Sequence, residues 1–425
     1  MIDKKLLAQC KEDYDTKLIT YEKMMDYYEG RTDAMENYEM ITSRANNKVN
    51  VNMVQRFVGE EASYCVGNPV GYSSNSDNKQ IIDDIRLNLA HWSSNHNREL
   101  GKQGLIFNES YELYYIDIDG LFSSIILTPK NSYILTDDYG YIELCIRFYK
   151  KQFDVETQYA DVYEGKEITH YIVDGTDFVA FGGTETNIFS KVPVGICKIG
   201  TIAESIYSNI KGSQDGYEVV ASDIVNEISD FRNAYLKLIG TTIGDEVGAA
   251  DEMKKNGIME LPIGGDASWM IKQIDDSVIQ STLTTLKENM YELTSHINHN
   301  DKLASNTSSL ALKNRLIGLS QKCSTNMNGI KDCIKTRLQF LFEYLLIIES
   351  KEYDYRDVNI KLTALIPSDD LLSSQILSQN PNISKKTGYG LYSFIDNPEN
   401  EAKQLKLEQS QNSIGNDLLN SDETK

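Results

Sequence analysis

Three groups of residues in this chain have the chemistry to act on a ligand or substrate. The first is His296 and His299, three apart, with Asp301 close by. That spacing at a helix end can hold a metal ion, but a zinc site draws on at least three firm protein ligands. No third convincing ligand accompanies the pair, so a solvent-facing or subunit-contact role is the simpler reading. The second is the carboxylate pairs Asp83-Asp84, Asp137-Asp138 and Asp369-Asp370. Adjacent in sequence, they read as loop or cap residues rather than as a general acid and its base. The third is the cysteines Cys10, Cys65, Cys145, Cys197, Cys323 and Cys333, widely scattered and without a CxxC pair. They read as buried free thiols in a reducing compartment. Cys323 and Cys333 lie ten apart on one expected helix, too far for a bridge within it.

The motifs of common enzyme classes are missing. Gly101-Lys102 is followed by Gln103, and Gly165-Lys166 by Glu167, so neither is a phosphate-cradling P-loop. There is no GxSxG and no HExxH. A metal-dependent hydrolase built on scattered carboxylates is one competing reading, and these absences argue against it. The expectation is a protein that is not an enzyme and holds no cofactor or metal.

Charge narrows the partners. The chain has 425 residues, 40% hydrophobic and 25% charged, with a net charge of -21. That is ample for a large core in two or more domains. Tight binding to a phosphate backbone needs clustered Lys and Arg, which so acidic a chain does not offer overall. The segment MIDKKLLAQCKEDYD has no apolar core of signal-peptide length. No apolar run approaches the roughly 20 residues of a membrane span. The expectation is a soluble protein made in the cytosol.

The elements that must position these residues follow from hydrophobic period. Residues 5–29 read as a polar helix ended by Gly30. Residues 49–52 alternate like a short strand, and a helix follows through Met53, Phe57, Val58, Ala62 and Cys65 until Gly67-Asn68-Pro69 stops it. Residues 80–108 give one or two more helices. From Tyr111 the period changes to two. Short strands are expected at 111–117, 124–127, 132–135, 141–149, 154–163, 167–173 and 177–181, punctuated by glycines.

Three amphipathic helices then organise the remainder. The first, 213–240, is capped by Ser213 or Asp215 and carries Val220, Ile224, Ile228, Phe231, Tyr235 and Leu238 on one face. The second, 275–297, carries Ile279, Leu283, Leu286, Met290, Leu293 and Ile297. The third, 309–349, runs from Leu312 to Ile348 at steps of three and four, with a kink expected at Gly318 or Gly329. An insert at 241–274 reads as a small helix-and-hairpin module with extended pieces at 258–261 and 269–274. Residues 357–366 read as a strand, 369–409 as weakly helical, and the tail from Gln409 as disordered. The fold class is α+β.

Four stretches in this order resemble the portal proteins of long-tailed phages of Gram-positive hosts. They are YYEGRTDAMEN with ANNKVNVNMVQRFVGEEASYCVGNPVGYS in 27–73, and NESYELYYIDIDG, ILTPKNSYIL and ELCIRFY in 108–149. KVPV at 191–194 and SNTSSLALKNRLIGLSQKC at 305–323 complete the set. The resemblance implies a ring, usually dodecameric, at one capsid vertex of the virion, around the channel through which double-stranded DNA is packaged and released. It implies a β-rich wing at 1–212, stem helices at 213–240 and 275–297, a small α/β clip at 241–274, and a tunnel loop at 298–308. A long kinked wing helix at 309–349 and a short helical crown with the tail at 350–425 follow. It also implies partners: the terminase large subunit as motor against the clip, a head–tail adaptor, the major capsid and scaffolding proteins, and no membrane. A related tail or baseplate ring without DNA passage is the alternative.

With that architecture, specific residues acquire roles. Asp223, Glu227 and Asp230 on the first stem helix, and Glu288 and Glu292 on the second, are expected to face the channel. Carboxylates there repel phosphates and let DNA slide. Lys313, Arg315, Lys322, Lys331, Lys335 and Arg337 crowd the third helix, and are expected to offset carboxylates of neighbouring subunits or to lie near DNA. The loop residues Asn298, His299, Asn300, Lys302 and Asn306 include no Phe, Tyr or Trp. Base stacking is therefore not their mode. Lys302 is suited to meet a phosphate, with the asparagines adding neutral hydrogen bonds.

Overall fold

A computed structural model describes residues 3–39, 46–231, 235–239, 266–270, 276–298, 316–364, 374, 377–380, 382–390 and 401–408. The chain divides into two compact units, Met1–Lys302 with Arg315–Ala364, and Leu303–Asn314 with Leu365–Lys425. In the second unit, the Ser384 hydroxyl accepts from the Thr387 amide at the start of the short helix Lys385–Tyr389.

The first unit opens with α1 (Lys4–Tyr28), whose end passes into Gly30 at φ +82°. That left-handed conformation is open to glycine at little cost, as the sequence implied. α2 (Asp33–Asn37) is capped by Thr32, and α3 (Met53–Val66) by Asn52, which accepts from the Gln55 amide. After β1 (Gly71–Ser74) come α4 (Lys79–Leu89) and α5 (His96–Phe107).

The strands follow the period-two segments closely. β2 (Glu109–Ile116), β3 (Phe122–Leu127) and β10 (Val194–Lys198) form a three-stranded antiparallel sheet ordered β10-β2-β3. The larger sheet runs β4 (Ser132–Thr136), β5 (Ile142–Lys151), β6 (Asp154–Glu164), β7 (Glu167–Asp174), β8 (Asp177–Ala180), with β9 (Glu185–Thr186) also on β7. Alternate residues of this sheet, among them Ile146, Phe148, Ala160 and Val162, pack against Leu7, Cys10 and Tyr14 of α1. The tips of the β2–β3 and β4–β5 hairpins are Asx turns. Asp117 Oδ1 accepts from the amides of Asp119 and Leu121, and Asp137 Oδ1 from those of Tyr139 and Tyr141.

Downstream lie α6 (Ile206–Phe231), β11 (Tyr235–Ile239), β12 (Asp266–Met270), α7 (Asp276–Leu293), α8 (Ile317–Glu349) and β13 (Val358–Lys361). α8 supplies the largest core. Leu319, Cys323, Ile330, Cys333, Ile334, Leu338, Leu341 and Leu345 are buried among Tyr114, Phe122 and Phe189. All of these but Cys333 are positions in its apolar stripe, although the stripe's last member, Ile348, is 58% exposed. All six cysteines are buried and free.

Four expectations change. α6 begins at Ile206, not near 213. The Ser205 hydroxyl accepts from the Ser208 amide, and Ser213 and Asp215 lie inside the helix. α6 also ends at Phe231 rather than 240, and Tyr235 and Leu238 sit on β11, paired antiparallel with β12. The run Tyr-Leu-Lys-Leu-Ile satisfies both periods, and such short apolar runs are not decided by spacing alone. α7 stops at Leu293, four residues short of 297. Residues 350–364 belong to the first unit, where β13 pairs with β1.

Gly329 has a packing role. No break in α8 marks it, and a Cβ there would lie 2.0 Å from the Lys198 carbonyl oxygen. The glycine lets α8 and the end of β10 touch backbone to backbone. The extended pieces at 258–261, most of the insert, and the tail lie outside the described residues.

Candidate functional site

α6 buries a polar face. Gln214, Glu218, Ser222 and Asn226, four apart, are all fully buried. They meet the extended segment 46–51, which belongs to none of the sheets among the described residues. The Val51 amide donates to Glu218 Oε1 at 2.9 Å, that of Val49 to Ser222 Oγ at 2.9 Å, and that of Asn47 to Asn226 Oδ1 at 2.7 Å. The match is geometric. Two extended residues advance about 6.6 Å, and four helical residues about 6.0 Å. Side chains on one helix face therefore stand in for a neighbouring strand and satisfy amides that would otherwise be orphaned. Thr32 donates to Glu218, Tyr27 to Asp215 at 2.7 Å and Tyr38 to Asp223 at 2.7 Å, which continues the attachment.

The other side of α6 adjoins α7. A Cβ at Gly216 would touch Leu286 at 3.6 Å. Val225 and Ile228 on α6 and Val278 and Leu293 on α7 remain exposed. The apolar stripes found by spacing are thus only partly used within the chain.

α7 ends in a Schellman turn. The His296 amide donates to Tyr291 O at 3.0 Å and that of Ser295 to Glu292 O at 3.1 Å, with Ser295 left-handed at φ +58°. The turn drives His296 into the core. Its ring lies 4.5 Å from that of Phe57, with Nδ1 3.0 Å from Thr294 O and Nε2 3.1 Å from Phe57 O. Burial, helped by the Lys322 charge, holds the imidazole at about 3, so it is neutral at pH 7. With a carbonyl at each nitrogen, the neutral ring donates to one of them and turns its lone pair toward the other. Among the described residues no cluster of His, Cys, Asp and Glu is arranged to hold one.

Beside it, Glu61 of α3 is wholly buried. Lys322 Nζ donates to its Oε2 at 2.9 Å, and Asn326 Nδ2 donates to its Oε1. Burial raises this carboxyl despite Lys322 and Asn326. A second buried carboxylate, Glu112 of β2, behaves differently. Arg337 spans it, Nε to Oε2 at 3.0 Å and Nη2 to Oε1 at 2.7 Å. Tyr114 donates to Oε2 at 2.7 Å and His96 Nε2 lies against Oε1. Burial favours the neutral acid here too, but the Arg337 charge and the His96 contact prevail and hold it at about 2.

The sequence-derived candidates are dispersed by this geometry. Arg337 and Lys322 turn inward, to Glu112 and Glu61. An isolated buried carboxylate needs a cation, and these two are where α8 passes each one. Lys335 is exposed and paired with Asp332 at 2.9 Å, while Lys331 is half-buried. Asp223 is exposed but engaged by Tyr38, and Glu227 is half-buried. Glu288 and Glu292 are exposed. Asp230 lies in the last turn of α6, and Asn298 is half-buried at the last residue before the undescribed stretch. His299, Asn300, Lys302, Asn306, Lys313 and Arg315 lie outside the described residues. Spacing missed Glu61, Glu112 and the polar ladder of α6. The ladder's four-residue repeat was visible in the sequence, but polar repeats read as wet faces.

Comparison with known proteins gives a consistent set. The family described as "Phage portal protein, SPP1 Gp6-like" matches residues 7–415. The portal protein of Bacillus phage SPP1 is 19% identical over 426 residues, covering 95% of this chain and 82% of that protein. Among solved structures, a chain in the neck of an empty gene transfer agent particle is 12% identical, with a TM-score of 0.47 over 85% of this chain and 90% of its own. A chain in the virion of the native gene transfer agent is 13% identical, with a TM-score of 0.46 over 79% and 88%.

Proposed function

Since the chain belongs to the SPP1 Gp6-like family of phage portal proteins, we propose that it forms the ring at one capsid vertex through which double-stranded DNA is packaged and later released. Portal proteins are structural, non-enzymatic components of phage virions, and they form oligomeric rings. No helix among the described residues is long and apolar enough to cross a membrane.

The observation that carries the reading is the division of labour on α6. Its polar face is locked to residues 46–51 of its own chain, while Val225 and Ile228, with Val278 and Leu293 of α7, stay uncovered. A helix pair held rigidly on one side and apolar on the other is suited to pack against the same pair in a neighbouring copy. In this proposal α6 and α7 are the stem and 241–274 the clip that meets the terminase. Residues 298–308 are the tunnel loop and α8 crosses the wing. Residues after Ala364 supply the crown. Twelve copies close the ring, and an adaptor later replaces the motor. Glu288 and Glu292, with Asp223, Glu227 and Asp230, line the channel as carboxylates that do not hold DNA.

Negative-stain images of the purified protein test the assembly. The expected result is rings with a central hole of duplex width, lost in an Ile228→Asp/Val278→Asp variant. A compact wild-type monomer at all concentrations overturns it.

A further inference from the structure

The described ends of the segment between α7 and α8 converge on one buried carboxylate. On the α7 side, the Schellman turn at Ser295 seats His296 on Phe57, with Nε2 3.1 Å from the Phe57 carbonyl. Glu61 is one helical turn along α3 from Phe57, and its Oε2 is 3.9 Å from His296 Nε2. On the α8 side, Lys322 and Asn326, also one turn apart, both donate to Glu61. The two ends are tied to each other as well. Lys322 Nζ lies 3.5 Å from the Thr294 carbonyl, and a Cβ at Gly318 would meet Ser295 Cβ at 3.6 Å. The chain that leaves at Ile297 and returns at Leu316 therefore starts and finishes at the same place on α3.

Apolar side chains could fill that volume. A charged acceptor that takes directional bonds from one end and lies beside the ring of the other sets their register, which oil-like packing does not. We propose that Glu61, with His296 and Lys322, is the anchor that sets the position from which residues 298–308 meet DNA. The three are positioning residues, and the inference rests on the tunnel-loop reading of that segment.

The test uses the full chain with two disruptions and one conservative control. His296→Ala removes one tie. Glu61→Gln/Lys322→Met removes the ion pair without leaving a buried charge, so it keeps the test available if the first variant folds poorly. Lys322→Arg retains the pair. Trypsin cleavage after Lys302 reports the hold on the segment, and nuclease-protected DNA reports packaging. The expected result is a roughly tenfold rise in cleavage rate and a roughly tenfold fall in packaging for both disruptive variants. The double variant should keep a melting temperature near wild type, and Lys322→Arg should restore both readouts. Unchanged cleavage in both variants overturns the anchor. Normal packaging by them overturns it too. In that case a Lys302→Glu variant locates the fault: blocked packaging leaves the tunnel-loop reading standing, and normal packaging removes that reading as well.

Discussion

Glu112 and Glu61 are a natural pair to compare. Each is wholly buried, and each meets a cation from α8, yet their carboxyl groups are driven in opposite directions. Glu112 sits in the planar fork of Arg337, itself buried, with Tyr114 and His96 on its remaining lone pairs. Glu61 has a single ammonium, 26% exposed, and one amide. Burial penalises both anions alike. The number and geometry of the donors decide in which direction each carboxyl moves. The better-satisfied site lies well inside α8, where the helix crosses β2. The softer one lies near its start, at the root of the segment that leads away from α7.

This contrast can be broken by substitution. The largest effect is expected for Arg337→Leu, which leaves Glu112 buried without its fork and should cost on the order of 3–5 kcal/mol in urea unfolding at pH 7. The pH dependence has a defined sign. The Glu112 carboxyl is held at about 2 against an ordinary value of 4.5. Its contribution is therefore fully present above pH 4.5 and lost as pH falls toward 2. Arg337→Leu should flatten that acid limb, and a cost below that of the next variant would remove the distinction between the two sites.

Lys322→Met comes second, at about 1–3 kcal/mol, because Glu61, already pushed up by burial, can take a proton and become neutral. Unfolding at pH 7 and pH 5 should show the deficit shrinking on acidification; a constant deficit would mean that Glu61 does not titrate in this way. The smallest effect is a gain. Ser295 holds a left-handed conformation at the α7 turn, and Ser295→Gly should add roughly 0.5–1 kcal/mol to the unfolding free energy. A loss there would show that the Ser295 side chain contributes more than its backbone strain costs.

Legibility followed the strength of local pattern. The seven strands between β2 and β8 were readable because alternation and turn glycines coincide, and the hairpins join neighbours in the chain. α8 was readable because its stripe is long and its core one-sided. The segment at 235–239 was not, since five residues fit either period. α6 misled in a different way. Its apolar stripe marked the side that the chain leaves exposed at Ile228, while the buried side is Gln214, Glu218, Ser222 and Asn226.

The α+β class, the order of the elements apart from β11, the buried free cysteines and, through its ordered motifs, the portal family were all legible in the sequence. These depend on contacts between near neighbours, or on order along the chain. Only the tertiary structure decided what the charged residues do. Glu112 and Arg337 are 225 residues apart, and Glu61 and Lys322 are 261 apart. A carboxylate's surroundings are set by whichever distant element packs over it, so no local pattern could distinguish the lysine and arginine that brace the core from the lysine that stays on the surface.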